Sequence, residues 1–143
     1  MISSGAIASI ILLCGICSAP AQETTSRSTS AGVFTTDQAK NGAIAYNANC
    51  ASCHGAELRS TDREIPNLSD KSFKFSWVGK TIGEKFELVR DTMPPKEERS
   101  LDDQVYLDIV TYVLQFNKAP TGNQPLKPDL QTLKQITIAA PPG

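Results

Sequence analysis

The chain is poor in side chains that usually build polar sites. Among 143 residues histidine occurs once, tryptophan once, and methionine once beyond the initiator. A single histidine excludes zinc sites that need two imidazoles. Lys and Arg number 14 against 15 Asp and Glu, for a net charge of −1, and no long basic run occurs. Composition therefore gives no support for nucleic-acid binding. Aromatic residues make up only 6 % of the chain, so a small core would gain from a covalent or prosthetic staple. No convincing alternation of strand residues appears, which predicts an all-α class.

Positive charge is missing where an export signal usually carries it. The first 21 residues hold no charged side chain, and an apolar or small run from Ile7 to Ile16 leads to Ala19-Pro20-Ala21. An A-x-A site with Gln22 as first mature residue is the pattern of a secretory signal peptide at 1–21. The alternative is an uncleaved anchor. A spanning helix needs about 20 apolar residues, and Gly5, Gly15, Pro20 and several serines suit it poorly. Either way the remainder is expected outside the cytoplasm, in the periplasm, with no membrane contact unless this segment stays uncleaved. Cys14 and Cys17 make a C-x-x-C followed by Ser18, and read as filler of the apolar run.

Residues 22–35 are rich in Ser and Thr and predict a disordered leader. The domain is expected over 36–118. Its first helix spans Thr36 to Asn49, with Ala39, Gly42, Tyr46 and Cys50 on one face. Thr81 and Glu84 form a capping box for a second helix to Asp91, striped by Ile82, Phe86 and Val89. Ser100 and Asp103 fit the same pattern before a third, in which Val105, Ile109, Tyr112, Val113 and Phe116 repeat at helical spacing. Between the first two lies a long irregular stretch, Gly55 to Lys80, of the kind that wraps something functional. Residues 119–143 predict a Pro-rich extension that packs along the surface and then frays.

Cys50-Ala51-Ser52-Cys53-His54 reads C-x-x-C-H, the attachment signature of c-type haem. Two thiols about one helical turn apart suit the two vinyl groups on one porphyrin edge. The next residue, His54, then supplies the proximal iron ligand through Nε2, leaving Nδ1–H for an acceptor. Three rival chemistries fit less well. A closed zinc site needs four ligands, and after residue 21 the only Cys and His are Cys50, Cys53 and His54. A thioredoxin-like dithiol expects a βαβ setting, and a disulfide across this spacing would leave His54 without a role.

An electron-transfer haem calls for a second protein ligand. No second histidine exists, and Met93 is the one methionine beyond the initiator. It stands in "RDTMPPKEE", where Pro94 favours an extended backbone at Met93 and Pro95 stiffens the loop. A gap-filling core methionine is the bland reading, and a charged, Pro-rich loop suits it poorly. Met93 is therefore the candidate distal ligand.

With these residues in place the chain resembles a monohaem class I c-type cytochrome over Thr36 to Asn117. The family pattern G-x-x-x-[FY]-x-x-x-C-x-x-C-H is matched by Gly42, Tyr46, Cys50, Cys53 and His54. The resemblance implies a small fold in which the N- and C-terminal helices cross at the glycine, against an aromatic matched by Tyr112, with haem-wrapping loops. It also implies that the Pro66 carbonyl accepts from His54 Nδ1 and that Leu68 contacts the haem. The stretches around Trp77, Met93 and Tyr112 are similar to cytochromes that accompany quinoprotein (PQQ) dehydrogenases. Trp77 would there line the haem pocket or reach a propionate, with a core tryptophan as the equal alternative. The implied function is an electron carrier rather than an enzyme, with one covalent haem c. It would take single electrons from a periplasmic, quinoprotein-type dehydrogenase toward a terminal oxidase or another cytochrome. Two alternatives stand beside it: a haem subunit fixed in a dehydrogenase complex, and a haem sensor or enzyme with an open sixth position.

Overall fold

The computed structural model describes Met1 and residues 27–142. The expected signal peptide, Cys14 and Cys17 lie outside the described residues. Strand β1 (Arg27–Ser28) leads through a single 3-10 turn into six helices and a second strand. The helices are α1 (Thr36–Asn49), α2 (Ala51–His54), α3 (Asp70–Ser76), α4 (Ile82–Thr92), α5 (Asp103–Phe116) and α6 (Leu130–Leu133). Strand β2 (Ile136–Thr137) follows. The class is all-α, and among the described residues the two strands form one parallel pair, Arg27 beside Ile136 and Ser28 beside Thr137. Among the described residues no helix is long and apolar enough to cross a membrane.

Helices α1 and α5 cross at Gly42. A Cβ there would run into the Asp108 carbonyl, so only glycine admits the α5 backbone this close. Tyr46 and Tyr112 pack beside the crossing with ring centroids 5.2 Å apart. From α5, Tyr106, Leu107, Val110 and Leu114 enter a core shared with Phe34, Phe73 and Phe86. Helix α4 begins with both halves of the expected capping box: Glu84 N–H donates to Thr81 Oγ1 at 3.1 Å, and Thr81 N–H donates to the Glu84 carboxylate at 2.6 Å. The Thr81 donors hold the Glu84 carboxyl below the usual carboxylate range. Helix α5 starts later than expected. Its N-cap is Asp102 rather than Ser100, and no side chain caps it.

Three expectations are corrected. Residues 27–35 of the expected leader are ordered, because they are held by contacts far away in sequence. Thr29 is 1 % exposed and Phe34 fully buried. Phe34 O accepts from Gly122 N–H at 2.7 Å, and Thr29 Oγ1 accepts from Ala139 N–H at 2.9 Å. The C-terminal extension is likewise part of the core: Leu126, Leu133, Ile136 and Ile138 are buried, and Gln38 closes two hydrogen bonds with the Leu126 backbone. Finally, the stretch Gly55 to Lys80 contains α3, whose Phe73 fills the core.

The extension also fixes α4. Gly79 N–H donates to Ile138 O at 2.9 Å and Ile138 N–H to Lys80 O at 2.8 Å. Gly83 lies against the Lys134 backbone and side chain, and Lys134 pairs with Glu87 at 2.9 Å.

Candidate functional site

The C-x-x-C-H segment is a turn of helix grafted onto the end of α1. Cys50 N–H still donates to Tyr46 O at 2.8 Å, and His54 N–H donates to Cys50 O at 2.9 Å, which winds α2 without a break in hydrogen bonding. Gly55 ends it with φ of 77°, and a Cβ there would strike the Arg59 carbonyl. Tyr46, fully buried, donates its hydroxyl to Gly55 O at 2.8 Å and ties this turn back to α1. Burial raises the Tyr46 hydroxyl above its ordinary value, with Cys50 as a second cause.

Both cysteines are free thiols, Cys50 half-buried and Cys53 exposed. Burial, and then the neighbouring Cys53, pushes the Cys50 thiol up to about 11. Neither the disulfide nor the zinc alternative gains anything from this arrangement. Among the described residues, no three His, Cys, Asp or Glu side chains gather as a metal-ion cluster.

His54 is oriented by the loop that follows it. Its Nδ1 stands 3.2 Å from the Pro66 carbonyl, so Nδ1–H donates there and Nε2 is the ring nitrogen with a free lone pair. The loop is shaped by its own backbone. Leu58 adopts φ of 56°, Leu68 N–H donates to Leu58 O at 2.8 Å, and Ser60 N–H donates to Asn67 Oδ1 at 2.8 Å. Asn117, at the end of α5, donates to Leu68 O at 2.9 Å. Leu68 is half-buried against the main core.

Met93 has separate supports. It caps α4 in an extended conformation, φ −130° and ψ 145°, and its N–H donates to Val89 O at 2.9 Å. Its carbonyl, one of the acceptors a helix end leaves over, receives the Tyr106 hydroxyl at 3.0 Å. The following loop is tied back to α4 by Arg99, which pairs with Asp91 at 3.0 Å and donates its N–H to Arg90 O at 3.1 Å, while Arg90 pairs with Asp91 within α4 at 2.8 Å. The Arg90 guanidinium is raised above its ordinary value chiefly by the Asp91 hydrogen bond. Trp77 is buried, stacked on Phe73 at 5.6 Å, and covered by Lys85, whose Nζ lies 5.4 Å from the ring centre.

The structure thus gathers Cys50, Cys53, His54 and Pro66 in one cluster, sets Leu68 beside it in sequence, and carries Met93 and Trp77 on the α4 side. Tyr106 and Asn117 were not singled out from sequence. Tyr106 lies outside the apolar repeat that marks α5 in the sequence, and Asn117 reads there as a helix terminus.

The donor set fits a c-type haem. Two unpaired thiols one helical turn apart adjoin an imidazole with a fixed tautomer and a free Nε2, and a thioether stands on a separately anchored loop. In a comparison with protein families, residues 37–113 match a model described as cytochrome C oxidase, cbb3-type, subunit III. No curated protein and no solved structure matches the chain.

Proposed function

Because the chain belongs to the c-type cytochrome family described as cytochrome C oxidase, cbb3-type, subunit III, it is an electron-transfer protein with covalently bound haem c, and we propose that it is an exported shuttle between a dehydrogenase and the respiratory chain. Bound haem supplies a one-electron couple, which the side chains alone lack. Cys50 and Cys53 are the proposed tethers, and His54 and Met93 the proposed iron ligands. Pro66 holds the His54 ring by its hydrogen bond, which fixes the tautomer and raises ligand basicity. The observation that carries this reading is that hydrogen bond beside two free thiols.

Met93 contributes a weakly donating thioether, which favours a high potential. Its backbone is anchored at both ends, by Val89 and Tyr106, so the sulfur is presented from a fixed point. Leu68 and Trp77 contribute apolar surface, which lowers the local dielectric. In this reading the protein moves no proton and breaks no bond. It holds coordination constant while charge changes.

The likeness to cytochromes of quinoprotein dehydrogenases supports such an enzyme as electron donor, and a terminal oxidase or second cytochrome is the proposed acceptor. The periplasm is the proposed location, from the export pattern of residues 1–21. Contacts with redox partners of this kind are small and transient. The test begins with the protein produced in a host that attaches c-type haem. Denaturation should leave the haem on the polypeptide, and the double variant Cys50→Ala, Cys53→Ala should lose it. Purified periplasmic dehydrogenases are then offered in turn with their substrates. Rapid haem reduction by a quinoprotein enzyme supports the assignment, and reduction by none of them removes it.

A further inference from the structure

Asn117 caps the C-terminal end of α5, is 8 % exposed, and turns its side chain toward two carbonyls. Nδ2 donates to Leu68 O at 2.9 Å and to Val113 O at 2.8 Å. Carbonyl oxygens only accept, so the NH2 end of the amide must face them, and both of its protons are used. The two bonds differ in consequence. Val113 O also receives the Asn117 backbone N–H at 3.2 Å, so this helix end is closed without the side chain. The bond to Leu68 O leaves the helix and joins residues 49 apart in sequence.

What depends on that bond is the direction of the Pro66 carbonyl. Pro66 and Asn67 lie outside helix and strand, so no regular ladder aims them. Leu68 holds the stretch through both of its backbone groups, its N–H on Leu58 O at 2.8 Å and its carbonyl on Asn117. The Leu58 bond stays inside the loop and moves with it, as does the Ser60–Asn67 bond. Arg59 pairs with Asp70 of α3, but both side chains are more than half exposed and hold weakly. The Asn117 bond refers Leu68 to α5, which packs on α1 at Gly42. His54 is joined to α1 through the continuous hydrogen bonding of α2. Both partners of the 3.2 Å His54–Pro66 bond are thus tied to one helix pair, the imidazole from α1 and the carbonyl from α5.

We propose that Asn117 is a positioning residue for the His54 ring: by fixing Leu68 to α5 it aims the Pro66 carbonyl at Nδ1. The assignment rests on the covalent-haem reading above and extends it from the iron ligand to a side chain that touches neither the ligand nor the cofactor. Its consequence is electronic as well as geometric. The Nδ1–H bond raises the basicity of the imidazole, which favours the oxidised, more positive iron. Loosening the Leu68 tie weakens that bond and shifts the balance toward the reduced state.

The test uses the holoprotein with Asn117→Leu, which keeps the bulk of the side chain and the backbone N–H to Val113 O but removes the donor to Leu68 O. In the reduced, diamagnetic protein, proton NMR follows solvent exchange of the His54 Nδ1 proton. Exchange should be roughly two- to tenfold faster than in the parent, the factor that one neutral hydrogen bond corresponds to. The midpoint potential should rise with the Met-ligated ferric spectrum retained. Leu133→Ala is the comparison, because it opens the core at α6; it should leave both readings at their parent values. Unchanged readings in Asn117→Leu, or equal changes in Leu133→Ala, would overturn the proposal and leave the covalent-haem reading intact. A protein that carries no covalent haem overturns both. If Asn117→Leu does not fold, exchange in the parent decides: the His54 proton and the Asn117 side-chain amide should be equally protected, and a His54 proton less protected than that amide contradicts the proposal.

Discussion

Replacing Tyr106 by Phe deletes one oxygen and leaves a fully packed ring, since the side chain is only 1 % exposed. What is lost is the 3.0 Å hydrogen bond to the Met93 carbonyl. A neutral hydrogen bond of this kind contributes about 0.5–1.5 kcal/mol net, and an acceptor left without a partner in a buried site costs about 1–3 kcal/mol. Met93 is half-buried, so water can reach part of its carbonyl. The cost should therefore lie near the low end of that range, about 1–2 kcal/mol. It falls on a particular place, the junction of α4 with the Met93 loop, where the remaining backbone tie is Met93 N–H to Val89 O. A cost of about 1.4 kcal/mol makes loop opening tenfold more populated, and an outside ligand that needs the open loop gains apparent affinity by the same factor. The assay is imidazole titration of the ferric holoprotein, followed by loss of the red-edge band of Met ligation. The account predicts roughly tenfold tighter imidazole binding in Tyr106→Phe. Unchanged affinity alongside a loss of global stability would refute the reasoning, because the hydrogen bond would then serve the fold without positioning Met93.

Other consequences can be checked more briefly. Gly42→Val drives side-chain atoms into the Asp108 carbonyl at the α1–α5 crossing, and denaturant melts should show at least the roughly 1–3 kcal/mol typical of overpacking. Leu133→Ala empties a fully buried site and should cost about 2–5 kcal/mol in the same melts, far more than a frayed tail would allow. Termination after Lys118 removes Leu126, Leu133, Ile136 and Ile138 from the core. At about 1.5–3 kcal/mol each, their loss rivals the whole stability of a small domain, so the shortened chain should show no cooperative unfolding transition. The Glu84 carboxyl is held below its unfolded value by Thr81, so its contribution to α4 is complete above about pH 4.3 and is lost as pH falls through the lower folded value. Acid unfolding of Glu84→Gln should accordingly show a shallower pH dependence than that of the parent protein.

Much of the frame is legible locally. Helix α1 is found from Thr36 to Asn49 because its apolar face recurs at helical spacing within those 14 residues. Helix α4 is announced by the Thr81–Glu84 box, whose two hydrogen bonds span only three residues. The C-x-x-C-H segment is equally local, since its chemistry depends on adjacent positions. What escapes is held by distance in the chain. The order of residues 27–35 depends on β1 pairing with Ile136–Thr137, more than a hundred residues away, and no property of a Ser- and Thr-rich run announces that partner. The extension reads as surface because it is rich in proline and its one apolar stretch near the end is short, yet Leu126, Leu133, Ile136 and Ile138 each find a place in the core.

The site shows the same division. Met93 can be picked out by elimination, whereas its anchor, Tyr106, emerges only when α5 is packed against the end of α4. Pro66 lies twelve residues beyond His54, and the loop brings its carbonyl back through the left-handed turn at Leu58 and the Leu58–Leu68 hydrogen bond. Local patterns thus name the candidate donors, and tertiary packing determines how each is held.

The central claim is a covalent haem held between His54 and Met93 for electron transfer, and the visible spectrum of the purified holoprotein under carbon monoxide tests it most directly. The account predicts a ferric spectrum with the red-edge band of Met ligation and a ferrous spectrum that carbon monoxide leaves unchanged. Ready binding of carbon monoxide, with no red-edge band, would show an open sixth position and contradict the account.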